Sequence, residues 1–161
     1  VAIGPGSFTS LRVGLALAKG IAFARNIPLI GIPTLDILAR ALPESNLPLA
    51  VAIGAGRGRY ALGWYKSVRK LWQAEGPARV VSVEAIKDEA ASPSVVCGEF
   101  TGEVRQKIES NPNAQLTSLE ESQRKPAMLA KLAWARFQNG DVDDAASLAP
   151  IYLHTAAPIE T

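Results

Sequence analysis

A mixed α/β fold is predicted for this 161-residue chain by three observations. Short apolar runs alternate with a helical pattern from Val1 to Ala41. A pair of strand-like runs flanks a glycine-rich turn between Leu49 and Val68. Strand and helix then alternate again from Ser94 onward.

The elements follow in chain order. Val1-Ala2-Ile3 reads as the end of a buried strand running into the turn Gly4-Pro5-Gly6-Ser7. From Thr9 to Arg25 apolar residues recur at helical spacing without a proline, and Asn26-Ile27-Pro28 closes that helix. Leu29 to Ile32 is a short buried strand, and Leu35 to Ala41 a second helix opened at Pro33 or Thr34 and stopped by Pro43. This rhythm calls for a parallel sheet with crossover helices. Leu49 to Ile53 is a strand, Gly54 to Gly58 its turn, and Tyr60 to Val68 the hairpin partner, with Leu62 and Trp64 on one face. Leu71 to Glu75 adds a further strand before Gly76-Pro77. Ser82 is placed to cap a short helix, Val83 to Glu89. Ser94 to Cys97 is a strand, Thr101 to Ser110 a helix, and Ala114 to Leu119 a strand after the turn at Asn111-Pro112-Asn113. Pro126 opens a helix that runs to Asn139 and is stopped by Gly140. Leu148 to Leu153 is extended.

Composition narrows the function classes. Hydrophobic residues make up 48%, enough for a packed core, and 17 basic against 15 acidic side chains leave a net charge of +2. So weak a charge gives no electrostatic case for nucleic-acid binding. One cysteine, Cys97, excludes an internal disulfide framework and fits a reducing compartment. No apolar run approaches the ~20 residues of a membrane span. A soluble, cytoplasmic chain is expected. Its opening strand stub, lacking an initiator methionine, reads as a piece whose N-terminal strands are missing.

The first helix has almost no polar face. Arg12, Lys19 and Arg25 are its only charged residues, and two rows of small residues run along it: Gly14, Ala18, Ala22 and Ala16, Gly20, Ala24. Small residues four apart let another backbone approach closely. Glycine inside a helix costs roughly 1 kcal/mol relative to alanine, so some close packing should compensate. Two readings stand: a crossover helix enclosed by its own domain, or a surface for another protein. On the second, Leu11, Leu15, Ala18 and Ala22 are the candidate contacts, with Arg12 and Lys19 at the rim.

The turn before it is equally ambiguous. Backbone N–H groups at a helix start hold phosphate, which makes Gly4, Gly6 and Ser7 a candidate phosphate site. No P-loop lysine follows, and the dinucleotide-binding fingerprint is absent. The plainer reading is a tight strand-to-helix turn, with Ser7 or Thr9 as helix cap.

Catalytic constellations are thin. His154 is the one histidine, so a histidine-rich metal site is untenable and no metal is expected; it reads as a surface residue in a tail. Cys97 ends an apolar strand and reads as a structural thiol. Ser7 and Thr9 lie in no G-x-S-x-G nucleophile elbow. Glu120, Glu121, Asp143 and Asp144 read as solvated surface. Arg57, Arg59, Lys66, Arg69 and Lys70, with Trp64 and Trp72, form either a tRNA-contacting patch or a solvated hairpin over core tryptophans.

The stretch GPGSFTSLRVGLALAKGIAFARNIPLIGIPTLDILA closely resembles the most recognisable segment of the TsaB (YeaZ) family, which typically reads GPGSFTGLRVGLA, then AKGLA, then a short apolar strand. The glycine–arginine hairpin at 54 to 60 and the closing Pro150-Ile151-Tyr152-Leu153-His154 agree in order. Ser10 stands where the family usually has glycine, and Gly54 and Arg59 stand where its hairpin carries acids. The resemblance implies an actin-like ATPase (ribonuclease H-like) fold, with 1–75 the remainder of an N-terminal lobe and 76–161 a smaller second α/β lobe and tail. The family's usual first strand, of the Ile-Asp-Thr-Ser type, is absent here. It further implies a noncatalytic partner subunit in making N6-threonylcarbamoyladenosine in tRNA, with no catalytic residues of its own. That subunit pairs with a TsaD-like catalytic subunit and a TsaE-like ATPase, and also self-associates. It contacts tRNA only indirectly and binds no cofactor alone, ATP belonging to the complex. The alternative is an actin-like ATPase or peptidase-like enzyme with its phosphate site at the GPGS turn.

Overall fold

The computed structural model describes residues 1–153. Five helices and eight strands are present among them. A short parallel pair, β1 (Ala2–Gly4) and β2 (Ile32–Pro33), is joined by the 18-residue α1 (Phe8–Arg25). α2 (Thr34–Ala41) follows β2 directly. Prolines and the left-handed Asn26 that closes α1 set these boundaries, which is why the sequence-based limits fall within a residue of them. The strand expected over Leu29–Ile32 survives only as β2, with Leu29 in an isolated bridge to Asp143.

The larger sheet has the order β5-β4-β3-β7-β8, with β6 also on β4. β3 (Leu49–Gly56) and β4 (Arg59–Val68) form the expected antiparallel hairpin. β4 then carries β5 (Leu71–Ala74) against residues 65–68 and β6 (Arg79–Val81) against residues 60–62. On its other side β3 pairs in parallel with β7 (Ser94–Gly98), which pairs in parallel with β8 (Ala114–Leu116). The crossovers are α3 (Val83–Glu89) and α4 (Gly102–Glu109). Ser82 caps α3 as expected, its hydroxyl accepting from Ala85 N–H at 3.2 Å.

β3 divides the core. Leu49, Val51 and Ile53 face one side, with Leu35, Leu38 and Trp72; Ala50 and Ala52 face the other, with Ile86, Val96 and Ile108. The period of two along β3 therefore places α2 on one face and α3 and α4 on the other. The division expected at residue 75 falls between β5 and β6, two strands that both pair with β4, so the larger sheet is built across it.

α5 (Pro126–Gln138) returns to β2 and packs Met128, Leu129 and Leu132 on Ile30, Ile32 and Ile37. Arg136 fastens it. Its Nη1 donates to the Gly31 carbonyl at 2.8 Å, and its remaining nitrogens engage Asp141 and Asp143. Asp143 also accepts from Gly31 N–H at 2.7 Å. This corrects the reading of Asp143 as solvated surface: it joins the end of α5 to β2. The final segment is extended, with Ile151 N–H donating to the Ile3 carbonyl at 2.7 Å.

Candidate functional site

α1 presents two unlike apolar faces. Leu15 and Ala22 are 4% and 5% exposed, with Leu11 and Ala18 half-buried beside them. The opposite face carries Val13, Leu17 and Ile21 at 63%, 64% and 50% exposure, while Phe23, 90% exposed near the end, lies on the Lys19 side. Val13, Leu17 and Ile21 follow one another at four-residue spacing, so they form one row along the helix, and Lys19 points to another side. Gly14 and Gly20, three residues to either side of Leu17, flank that row. A Cβ built on either glycine would meet nothing within 4 Å. The close approach that should compensate two helical glycines is therefore not made within the described residues.

Part of the expected contact row is taken up by the chain's own core. Leu15 and Ala22 are consumed by the chain's own core, and Leu11 rests its Cδ1 over Gly4. The face open to another molecule is the Val13–Leu17–Ile21 row. Arg12 and Lys19 lie on the flank between the two faces: the Arg12 guanidinium stands 5.2 Å over the Phe8 ring, and Lys19 Nζ donates to the Ala146 carbonyl at 3.3 Å.

The GPGS turn is a packing device first. Gly4 has φ +101°, and a Cβ there would lie 2.8 Å from Leu11 Cδ1 and 3.0 Å from the Ile151 carbonyl oxygen. Neither side-chain geometry nor backbone conformation admits another residue. Ser7 holds the N-cap position without accepting from a backbone N–H of the first turn, against expectation; its Oγ accepts instead from Ser10 Oγ at 3.2 Å. Beside the turn a cavity of about 740 Å³ opens, with Gly54, Gly56 and Arg59 of the β3–β4 hairpin opposite Gly6 and Ser7. The two glycine-rich turns thus face each other, which their separation in sequence did not reveal.

The basic residues do not converge. Arg57 sits at one end of the ten-residue β4 and Arg69 and Lys70 at the other, roughly 30 Å away at ~3.3 Å per residue. Trp72 is buried with its Nε1 donating to the Pro43 carbonyl, and Trp64 donates to Glu89. Neither ring is presented for base stacking. Cys97 is fully buried, which pushes its thiol up in pKa, and its Sγ lies 3.9 Å from Ser122 Oγ. Asp36 accepts from the Tyr65 hydroxyl at 2.7 Å; burial, then Asp36, pushes Tyr65 far above its ordinary range and keeps it a donor. Among the described residues no three His, Cys, Asp or Glu side chains gather as a metal site. His154 lies outside them.

The family model described as TsaD, tRNA N6-adenosine threonylcarbamoyltransferase, matches residues 1–134. The chain belongs to this family. Its similar relatives bear the TsaB name, tRNA threonylcarbamoyladenosine biosynthesis protein. The Escherichia coli (strain K12) protein is 32% identical over 88 residues, covering 53% of this chain and 38% of that one. The Bacillus subtilis (strain 168) protein is 28% identical over 162 aligned positions, covering 97% and 69%. The chain thus spans well under half of the first relative's length. Among solved structures, YeaZ from Pseudomonas aeruginosa superposes with a TM-score of 0.73 at 25% identity, covering 94% of this chain and 72% of that one. An uncharacterized protein from Pseudomonas aeruginosa, described as similar to peptidase YeaZ, gives 0.74 at 27%, covering 95% and 71%. These likenesses establish TsaB/YeaZ kinship and the actin-like, ribonuclease H-like fold expected from the GPGSFTSLRVGLALAKG segment. The outer row of α1 lies within that same segment. Its spacing was visible in sequence, but so was the equally regular row that turned inward.

Proposed function

We propose that the chain is a noncatalytic partner subunit of a complex that makes N6-threonylcarbamoyladenosine in tRNA, docking a TsaD-like catalytic subunit on the outer face of α1. The observation that carries this reading is the pair of helical glycines beside exposed Leu17, open on the outside and serving no contact within the described residues. An apolar face with small flanking residues suits a helix of another subunit. Support also comes from relatives named for threonylcarbamoyladenosine biosynthesis. On this reading ATP and a TsaE-like ATPase belong to the assembled complex, tRNA is reached through the catalytic subunit, and the setting is the cytoplasm. A second copy of the chain competes for the same face.

Leu17→Asp tests it. The variant should fold as the parent does, fail to capture a TsaD-like subunit in a pull-down, and lower threonylcarbamoyladenosine formation in a reconstituted assay. Unimpaired capture by folded Leu17→Asp would end the proposal.

A second reading is favoured by the cavity between the two glycine-rich turns: of the expected phosphate site at Gly4, Gly6 and Ser7, Gly6 and Ser7 line it, with Arg59 opposite. Backbone N–H groups of an 18-residue helix start near it. Direct binding of ATP by the chain alone, abolished by Arg59→Met, would favour it over the first.

A further inference from the structure

Away from α1, the structure holds a second cavity, of about 530 Å³, between α2, α5 and the β4–β5 hairpin. Asp36 and Arg40 stand one helical turn apart on its wall. Residues four apart on a helix are natural ion-pair partners. Here Asp36 turns to the Tyr65 hydroxyl, and half-buried Arg40 has no hydrogen-bond or ion-pair partner among the described residues. A guanidinium on a cavity wall with no protein partner is open to an anion, which charge-assisted hydrogen bonds would hold.

The rest of the cavity narrows the choice of anion. Leu71 and Trp72 from the hairpin and Leu132 from α5 supply an apolar wall. Arg136, also on the wall, is already held by Asp141 and Asp143, so it adds no free positive charge. Asp36 keeps one carboxylate oxygen beyond its bond to Tyr65. A di- or triphosphate would meet one available guanidinium and a nearby carboxylate, a poor electrostatic match. A single carboxylate paired with an ammonium matches both charges.

We propose that this cavity binds a free α-amino acid with an apolar or aromatic side chain. Its carboxylate engages Arg40, its ammonium the free oxygen of Asp36, and its side chain lies against Leu71, Trp72 and Leu132. The volume falls within the range of small-molecule sites, roughly 300–1,000 Å³. The site is separate from the α1 face, so its fate does not depend on the partner reading.

Saturation-transfer NMR and titration calorimetry on the chain test the proposal, with L-phenylalanine and L-leucine as probes. 3-Phenylpropionate lacks the ammonium, phenethylamine lacks the carboxylate, and inorganic phosphate supplies a competing anion. The amino acids should bind, each one-charge analogue and Arg40→Gln should weaken binding about tenfold or more, and phosphate should not displace them. Leu71→Glu, a change on the half-exposed hairpin away from α2, should weaken binding similarly by facing the ligand with a second carboxylate. Absence of amino-acid binding at millimolar concentration, unchanged affinity in both folded variants, or ready displacement by phosphate would each overturn it.

Discussion

Replacing both Gly14 and Gly20 by alanine should make the isolated chain more stable while making it a worse partner. In α1 both residues have ordinary helical backbone, and an added Cβ on either meets nothing within 4 Å, so the change introduces no clash. Each substitution removes a helical glycine penalty of about 1 kcal/mol. The sites are six residues apart, about 9 Å along the axis at ~1.5 Å per residue, which makes their effects close to additive. The expected gain is thus about 2 kcal/mol, a rise in melting temperature of roughly 4–8 °C for a chain of this size. Differential scanning calorimetry measures that half. The other half is read by size-exclusion chromatography and calorimetric titration with the TsaD-like subunit. There the two methyl groups hold the neighbouring backbone off the helix, and affinity should fall about tenfold or more. A double variant no more stable than the parent would show that the glycines serve some contact inside the chain. A stabilised variant that pairs with full affinity would remove α1's outer face from the interface.

The two rows of α1 should separate in stability measurements. Leu15→Ala, at 4% exposure, should cost about 2–4 kcal/mol in denaturant unfolding, whereas Leu17→Ala, at 64%, should cost within about 0.5 kcal/mol. The β4–β5 turn holds Arg69 at φ +50° and Lys70 at φ +66°. Arg69→Asn with Lys70→Gly should relieve that backbone and raise stability by about 1 kcal/mol, measured in urea. Acid should destabilise the fold through carboxylates lowered in the folded state, Asp141, Asp144 and Glu121 among them. Asp141 is held below its usual range by Arg136, Asp144 by the Ala146 N–H, and Glu121 by the Ser118 N–H. A carboxylate lowered in the folded state contributes fully above its unfolded pKa, near pH 4, and loses that contribution as pH falls through the folded value. Stability should therefore drop below about pH 4, and Arg136→Met should flatten the drop by freeing Asp141.

Elements bounded by local chemistry were legible in the sequence. α1 ends where Asn26 turns left-handed before Pro28, α3 begins where Ser82 caps it, and α5 begins at Pro126. Each of those signals acts within a few residues. β6 was not foreseen, because Arg79-Val80-Val81 carries no period of its own and becomes a strand only by finding the edge of β4 left free beyond β5. The parallel pairing of β3 with β7 was equally hidden, since it joins residues far apart in the chain. Asp143 looked like solvent-facing acid until the fold brought Arg136 of α5 and the Gly31 N–H beside β2 to it. The inward and outward rows of α1 could not be told apart for a related reason. A charged residue on one row would have marked the wet side, but Arg12 and Lys19 lie on the flank and mark neither.

What distinguishes the rows is the contrast among glycines. At Gly31 a Cβ would sit 2.7 Å from Ile3 Cγ2, and at Gly98 one would sit 2.6 Å from the Ala52 carbonyl oxygen. Those positions, like Gly4, exclude a side chain because the chain itself passes too close. Gly14 and Gly20 offer no such reason, yet they occupy the element in which glycine is most costly. Turn geometry does not require them either, as both lie within the α1 helix. On the proposed reading, a contact with a partner subunit accounts for them. The apolar row that they flank would give that contact its hydrophobic surface.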